Sequence, residues 1–552
     1  MMENKDLEAE IHPLKGEEGK AQPNQEAGAE KKQAAKKVAN SSRVSPWRTA
    51  AFFLSLFFCL LVVLLLSFIL PCPIRQRSEK TWRRDYNAAV TYDFLALEDV
   101  NMDKVQDVLF LYKGANSDGD TSNRSCADDG LDTPCAFAVA ASGTNGALLW
   151  QRPIAQDVTV TQCAIPQLGG TASPGCLVAG EPRTLTAFDP RTGETRWTGP
   201  ISFGANASML RPFLETPDAD GDGAQDLLFF AREDDEIKSS IHSSKTGQQI
   251  GSKGSLGLRG DVGYVLHTTK SGAYYVVFHS GSSLYGYSLK DLYDSMTGTI
   301  SEVKKDPSWE RMIHNVTHRL PVLSSRAIQF LVKLPAEAGE NLLVVKTDGC
   351  DLLDGEKLVP LWTLNASRIM REPILGYYKP DMPAILLEDG AGDRRQILIV
   401  DSSSGSLLWS CPLRSASRTP RPATLQTVDH RSAFFFWGSE QLAGANETEP
   451  SGLQQSLYMF HPTFPTTLLE LANVTDNIVA FEAVLFERSR HACYVLLTGP
   501  PNGARPGPVT LLKRKVKEDI LTSRVVQLGQ EEADGDKAIR DRFYRMRYRS
   551  PA

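Results

Sequence analysis

The sequence predicts an all-β chain, a multi-blade β-propeller of about seven or eight four-stranded blades preceded by one transmembrane helix. Three observations carry that prediction. A glycine–tryptophan hairpin recurs at a period of about 50 residues. Apolar runs such as VLFLY, DLLFF, YYVVF and ILIVD are punctuated by Gly, Pro and Asp turns, with hardly any long helical periodicity. One uncharged run, residues 50–70 (AAFFLSLFFCLLVVLLLSFIL), reaches the length of about 20 residues that spans a bilayer as a helix.

That run divides the 552 residues. Residues 1–49 are rich in Glu, Lys, Gln and Ala and hold too few large apolar side chains to bury a core, so a disordered tail is expected. The run exceeds the roughly 7–15 residues of a signal-peptide core and lies far from Met1, and Pro71-Cys72-Pro73 does not resemble a small-residue cleavage site. An uncleaved signal anchor is therefore expected rather than a cleaved signal peptide. Basic residues flank both sides, so charge orients the span only weakly. The sequons orient it instead. Asn123, Asn206, Asn315, Asn365, Asn446 and Asn473 all follow the run and favour a lumenal or extracellular body, whereas Asn40 precedes it and stays cytosolic. The expected topology is single-pass type II, anchored in lipid through residues 50–70, with the cell surface as destination. A juxtamembrane linker (71–84), a propeller (85–525) and a basic tail (526–552) follow.

Cysteine usage agrees with an oxidising compartment. Cys126 and Cys135 flank a polar loop and Cys163 and Cys176 a Gly/Pro-rich one, which suggests the staples Cys126–Cys135 and Cys163–Cys176. Cys350, Cys411 and Cys493 form an odd set that the sequence does not pair.

The propeller prediction rests on the segments GTNGALLW, RTGETRW and SSGSLLW. Each places a glycine four residues before a tryptophan: Gly146 and Trp150, Gly193 and Trp197, Gly405 and Trp409. The glycine supplies positive φ in a tight turn, and the tryptophan anchors the next strand. Weaker copies surround Gly247, Gly298, Gly355 with Trp362, and Pro465. Two stacked β-sandwiches are the rival, but one hairpin repeated at blade spacing favours a ring. Such a ring closes by pairing its ends, so one blade should mix strands from both termini.

A second pattern carries chemistry. DADGDGAQD places Asp218, Asp220, Asp222 and Asp226 around one point, with Gly223 for the sharp turn and the Ala224 carbonyl as a further ligand. Four converging carboxylates repel one another without a cation, and an oxygen shell of this kind suits Ca²⁺ in a structural role. A strand follows and the position-12 Glu is missing, so this is not a helix–loop–helix hand. DVNMDKVQD repeats the pattern with Asp99, Asn101, Asp103, the Val105 carbonyl and Asp107, but Lys104 replaces the glycine and would have to adopt the left-handed region. Asp381 sits in a third copy that has lost its ligands.

Loops of this form at blade hairpins resemble the FG-GAP repeats of integrin α-subunit propellers, and the Gly…Trp hairpin is similar to quinoprotein-type blades. A short tail, one anchor and such a body resemble the integrin-alpha FG-GAP repeat-containing type II membrane proteins. The segments MMENKDLEAEIHPLK, AAFFLSLFFCL and HRSAFFFWG further resemble the family with sequence similarity 234 across essentially the whole chain. The resemblance implies calcium at the Asp218 loop and extends to the Asp99 loop, where Lys104 departs from the pattern. No clear Phe-Gly…Gly-Ala-Pro signature or inserted adhesion domain accompanies it, and it implies no molecular activity.

No catalytic constellation stands out. His314 and His318 bracket the sequon at Asn315 without a partner glutamate, and neither a G-x-S-x-G elbow nor a phosphate loop is present. The reading is therefore a non-enzyme, a calcium-stabilised module that binds a protein partner as a receptor. The alternatives are an accessory or scaffold subunit of another membrane protein and, more remotely, a quinone-dependent dehydrogenase. The basic, aromatic AIRDRFYRMRYR segment lies in a body expected outside the cytosol, so nucleic acid is not an expected partner. A terminal strand or helix docking on the propeller, or a polyanion-contacting tail, is expected instead, and the net charge of −6 gives no further lead.

Overall fold

The computed structural model describes residues 46–69, 81–115, 124–218, 220–336, 339–391, 394–414, 419–440, 455–486, 492–529 and 535–549. The chain forms two compact units, Met1–Arg75 and Gln76–Ala552. In the first, α1 (Pro46–Ile69) is a 24-residue helix. Its described side chains from Ala50 to Leu65 are all exposed. Among the described residues no helix is long and apolar enough to cross a membrane.

The second unit is an eight-bladed ring of antiparallel sheets. Blade 1 is built from β1 (Trp82–Glu98), β2 (Asp107–Gly114), β3 (Cys135–Ala141) and β4 (Leu148–Ala155). Blade 2 holds β5 (Asp157–Ile165), β6 (Gly175–Glu181), β7 (Thr184–Phe188) and β8 (Thr195–Pro200). Blade 3 holds a short β9 (Ser208–Met209), then β10 (Leu214–Thr216), β11 (Asp226–Glu233), β12 (Glu236–Ser243) and β13 (Gln249–Arg259). Blade 4 holds β14 (Val262–Thr268), β15 (Tyr274–Ser280), β16 (Ser283–Ser288) and β17 (Arg319–Leu323), with α2 (Leu289–Thr297) and α3 (Pro307–Met312) inserted before its last strand. Blade 5 holds β18 (Ile328–Pro335), β19 (Glu340–Lys346), β20 (Gly349–Leu353) and β21 (Pro360–Asn365). Blade 6 holds β22 (Ile374–Lys379), β23 (Met382–Ala391), β24 (Arg394–Asp401) and β25 (Leu407–Arg414). Blade 7 holds β26 (Ala423–Gln426), β27 (Ser432–Glu440), β28 (Gln455–Phe460) and β29 (Thr467–Val474). Blade 8 holds β30 (Ile478–Val484), β31 (Cys493–Thr498) and β32 (Gly507–Lys515).

The ring closes as expected, with strands from both termini in one sheet. The start of β1, from Trp82 to Tyr86, pairs with β32 as the fourth strand of blade 8, and from Ala89 onward β1 pairs with β2 as the first strand of blade 1. The C-terminal stretch also docks on the ring. After α4 (Val516–Thr522), β33 (Arg524–Gln527) adds a fifth strand to β29, and α5 (Asp536–Tyr544) follows. Ile539, Phe543 and Tyr548 are buried between blades 7 and 8.

Each blade-to-blade interface has its own apolar core. The two faces of β2 show why its sequence reads as an unbroken apolar run. Val108, Phe110 and Tyr112 face blade 8, while Leu109 and Leu111 face blade 2. With both faces covered, the polar half of a period-2 alternation disappears.

The hairpin repeat is an interlock between successive blades. Trp82 Nε1–H donates to Gly143 O at 3.1 Å, Trp150 to Pro190 O at 3.1 Å, Trp197 to Ser244 O at 2.9 Å, Trp362 to Ser402 O at 2.9 Å and Trp409 to Pro465 O at 2.9 Å. Each acceptor lies in the turn of the next blade. Gly247, at φ +73°, faces Trp197 so closely that a Cβ there would sit 2.2 Å from Cε3. The glycine therefore does two things, supplying positive φ and letting the neighbouring indole lie against the backbone. The disulfides Cys126–Cys135 and Cys163–Cys176 both form. Cys350 is a buried thiol whose pKa burial pushes up to about 12, and Cys411 and Cys493 are buried as well.

Candidate functional site

The two aspartate loops occupy equivalent places, just before the second strand of blades 1 and 3. Three hydrogen bonds of one correspond to three of the other. Asp218 Oδ2 accepts from Gly223 N–H at 2.8 Å, and Asp99 Oδ2 from Lys104 N–H at 3.0 Å. Asp222 Oδ1 accepts from Ala224 N–H at 2.8 Å, and Asp103 Oδ1 from Val105 N–H at 2.8 Å. A hydroxyl from outside the loop holds each second oxygen: Ser243 Oγ donates to Asp222 Oδ2 at 3.1 Å and Thr144 Oγ1 to Asp103 Oδ2 at 3.1 Å. Lys104 does adopt the left-handed conformation, at φ +69°, where Gly223 has +84°.

The loops differ in charge. Ligand oxygens of Asp218, Asp220 and Asp222 lie within 4.8 Å of one another. Partial burial opposes the charge of both Asp218 and Asp220. The amides of Gly223 and Gly221 nevertheless hold Asp218 below the usual carboxylate range, while the charges of Asp222 and Asp218 help leave Asp220 above it. An oxygen-only set with crowded negative charge fits a hard divalent cation. In the first loop Asn101 replaces a carboxylate, donating through Nδ2 to Asp103 Oδ2 at 3.2 Å. Asp107 is fully buried and its two oxygens accept from Val100 N–H (2.9 Å), Asn101 N–H (3.2 Å) and Gly143 N–H (2.8 Å). It clamps the loop onto the Gly146 turn, and burial pushes its pKa up to about 6 against those donors. Asp226 is also fully buried at the start of β11. Asp381, in the degenerate copy, contacts His430 Nδ1 at 2.7 Å.

Of the sequons, Asn206, Asn315, Asn365 and Asn473 are exposed, while Asn123 and Asn446 lie outside the described residues. His314 and His318 do not converge on a ligand. His314 Nδ1 contacts Thr317 Oγ1 at 3.1 Å, whereas the His318 ring stacks on Tyr287 at 4.5 Å.

A second feature escaped the sequence reading. The first strands of the blades, and the segments leading into them, enclose a cavity of about 1100 Å³. It is lined by Arg211, Arg371 and Arg421 and by Asp93, Glu372 and Glu482. Burial pushes Asp93 and Glu482 up against the pull of these arginines, and it holds His279, also on the wall, down to about 4 and so neutral at pH 7. Arg371 is fixed by Glu388 at 3.4 Å and donates to Thr419 Oγ1 at 2.8 Å. Positive and negative groups are closely balanced, and among the described residues the cavity assembles no nucleophile–base pair. A faint signal was available: Arg211-Pro212, Arg371-Glu372-Pro373 and Arg421-Pro422 each precede the first strand of a blade. Their shared place on the cavity wall is visible only once the blades are placed around one axis.

The family described as FAM234A/B beta-propeller matches residues 82–549. Protein FAM234A of Rattus norvegicus is 53% identical over 551 residues, covering 100% of both chains. Protein FAM234B of Gallus gallus is 29% identical over 499 residues, covering 86% of this chain and 78% of its own. Among solved structures, BamB from Moraxella catarrhalis is similar at a TM-score of 0.40 and 11% identity, covering 78% of this chain and 100% of that one.

Proposed function

The chain belongs to the FAM234A/B β-propeller family, and on that premise we propose that it is a type II membrane glycoprotein whose calcium-braced propeller binds a protein partner. The observation that carries this reading is the pair of matched aspartate loops in blades 1 and 3. Each ties its loop to a neighbouring segment through a hydroxyl, so a cation at Asp218, Asp220 and Asp222 would stiffen one rim of the ring. Ala224 O and Asp226 complete the proposed set, and the Asp99 loop is a weaker copy. Calcium supplies charge neutralisation and rigidity here, and the FG-GAP likeness rests on these loops.

Residues 50–70 are the proposed bilayer anchor. The four exposed sequons and the two disulfides support placement of the body in an oxidising compartment. A ring with loops from eight blades on each rim suits a receptor-like module. Mapping N-glycan occupancy on the full-length chain from secretory-pathway expression tests the orientation. Glycans at Asn206, Asn315, Asn365 or Asn473 with Asn40 bare are expected. A glycan at Asn40 with the others bare would refute it.

A further inference from the structure

The docked basic segment forms a recess that the reading above does not use. It is pinned beside β26 by main-chain bonds, from Val428 N–H to Arg547 O at 2.9 Å and from Arg549 N–H to Gln426 O at 2.9 Å. Thr427 and Tyr548 form an antiparallel bridge. Phe543 and Tyr548, each 1% exposed, plug the interface of blades 7 and 8. Alternation around those plugs leaves Arg542, Arg545 and Arg547 exposed. A cavity of about 430 Å³ lies between this segment and the loops of blade 7. Val428, Phe464 and Met546 supply apolar surface, and the three arginines line it as well.

The charge there is lopsided. Among the described residues the one acid lining the cavity is Asp429, already engaged by Arg431 Nη1 at 3.2 Å and Thr427 Oγ1 at 2.5 Å. Lys517 stands over the Tyr544 ring at 4.9 Å, and its pKa is lowered by burial and then by the like charges of Lys515 and Arg547. Gathering like charges on a rigid support costs stability, and a bound anion relieves it.

We propose that this recess takes an acidic protein segment carrying one large apolar side chain, with carboxylates on Arg545 and Arg547 and the apolar group against Phe464 and Met546. The inference rests on the binding-module reading and names the partner's chemistry. The apolar surface is what favours a peptide. A sulfated glycan or an anionic bilayer would use the arginines and leave a recessed apolar surface unfilled.

The test is fluorescence anisotropy on the full-length chain at physiological salt. The probes are an oligoglutamate peptide with a central leucine and the same peptide with glycine there. A heparin octasaccharide and phosphatidylserine vesicles serve as competitors. The leucine peptide is expected to bind at least about tenfold tighter than the glycine peptide. The double variant Arg545→Glu/Arg547→Glu should lose at least about tenfold, and Met546→Asp should abolish the preference for leucine. Unchanged melting temperatures and a retained calcium response show that the variants are folded. Equal affinity of the two peptides, binding that survives charge reversal, or stronger displacement by heparin or vesicles than by unlabelled peptide would each overturn the proposal. If the peptides fail while glycans occupy the body, the recess is wrong and the type II orientation stands.

Discussion

Adding one methyl group at Gly247 or Gly298 separates the two roles of glycine in this ring. Both have positive φ, +73° and +70°. A Cβ on Gly247 would sit 2.2 Å from Trp197 Cε3, whereas a Cβ on Gly298 meets nothing within 4 Å. Trp197 is 9% exposed and tethered through its indole N–H to Ser244 O at 2.9 Å, so it cannot step aside freely. Holding alanine in the left-handed region costs about 1–2 kcal/mol at either site. Overpacking adds about 1–3 kcal/mol at Gly247 alone. With an unfolding entropy of about 2.1 cal/mol/K per residue, a ring of this size changes its Tm by roughly 1 °C per kcal/mol if it melts as one unit. Differential scanning calorimetry should therefore show Gly247→Ala lowering Tm by about 2–5 °C and Gly298→Ala by about 1–2 °C, with a clear gap between them in one experiment. Equal losses would mean that the indole does not lock one blade to the next, and the explanation of the repeat would fail.

Two further predictions concern the first loop. Lys104→Gly removes a strained side chain at φ +69° and a positive charge, so a second calcium-dependent rise in Tm should appear that wild type lacks. Asp107 has a folded pKa of about 6, above its ordinary 3.8. Its contribution is therefore fully present below about pH 4 and lost as pH rises through 6. In calcium-free buffer, wild type should lose on the order of 3 kcal/mol relative to Asp107→Asn between pH 4 and 7. Urea unfolding at several pH values checks this, and parallel pH profiles for the two proteins would refute it.

The ring was legible in the sequence because its signals are local. Gly146, Gly193 and Gly405 mark turns, the tryptophans follow at fixed spacing, and the two disulfides span short loops. The partner of each tryptophan was not legible, because Trp150 meets Pro190 and Trp197 meets Ser244 across a blade boundary. The aspartate loops were visible as patterns, yet the sequence could not show that the oxygens of Asp107 face three backbone amides. The cavity charges were hidden for a third reason. Arg211, Arg371 and Arg421 are far apart in sequence and have no shared local motif beyond a following proline. The segment 526–552 reads as a basic tail that either docks on the propeller or contacts a polyanion, and burial of Phe543 and Tyr548 shows that it docks and which side chains pack.

Calcium binding at the Asp218 loop is tested most directly by the melting temperature of metal-stripped full-length protein during calcium titration, with Asp222→Ala beside it. Filling one site at about 100 times its Kd adds about 2.7 kcal/mol, or roughly 3 °C for a ring of this size. Wild type should show that rise and Asp222→Ala should not. A flat response in wild type, or an equal rise in both, would contradict a calcium site built on Asp218, Asp220 and Asp222.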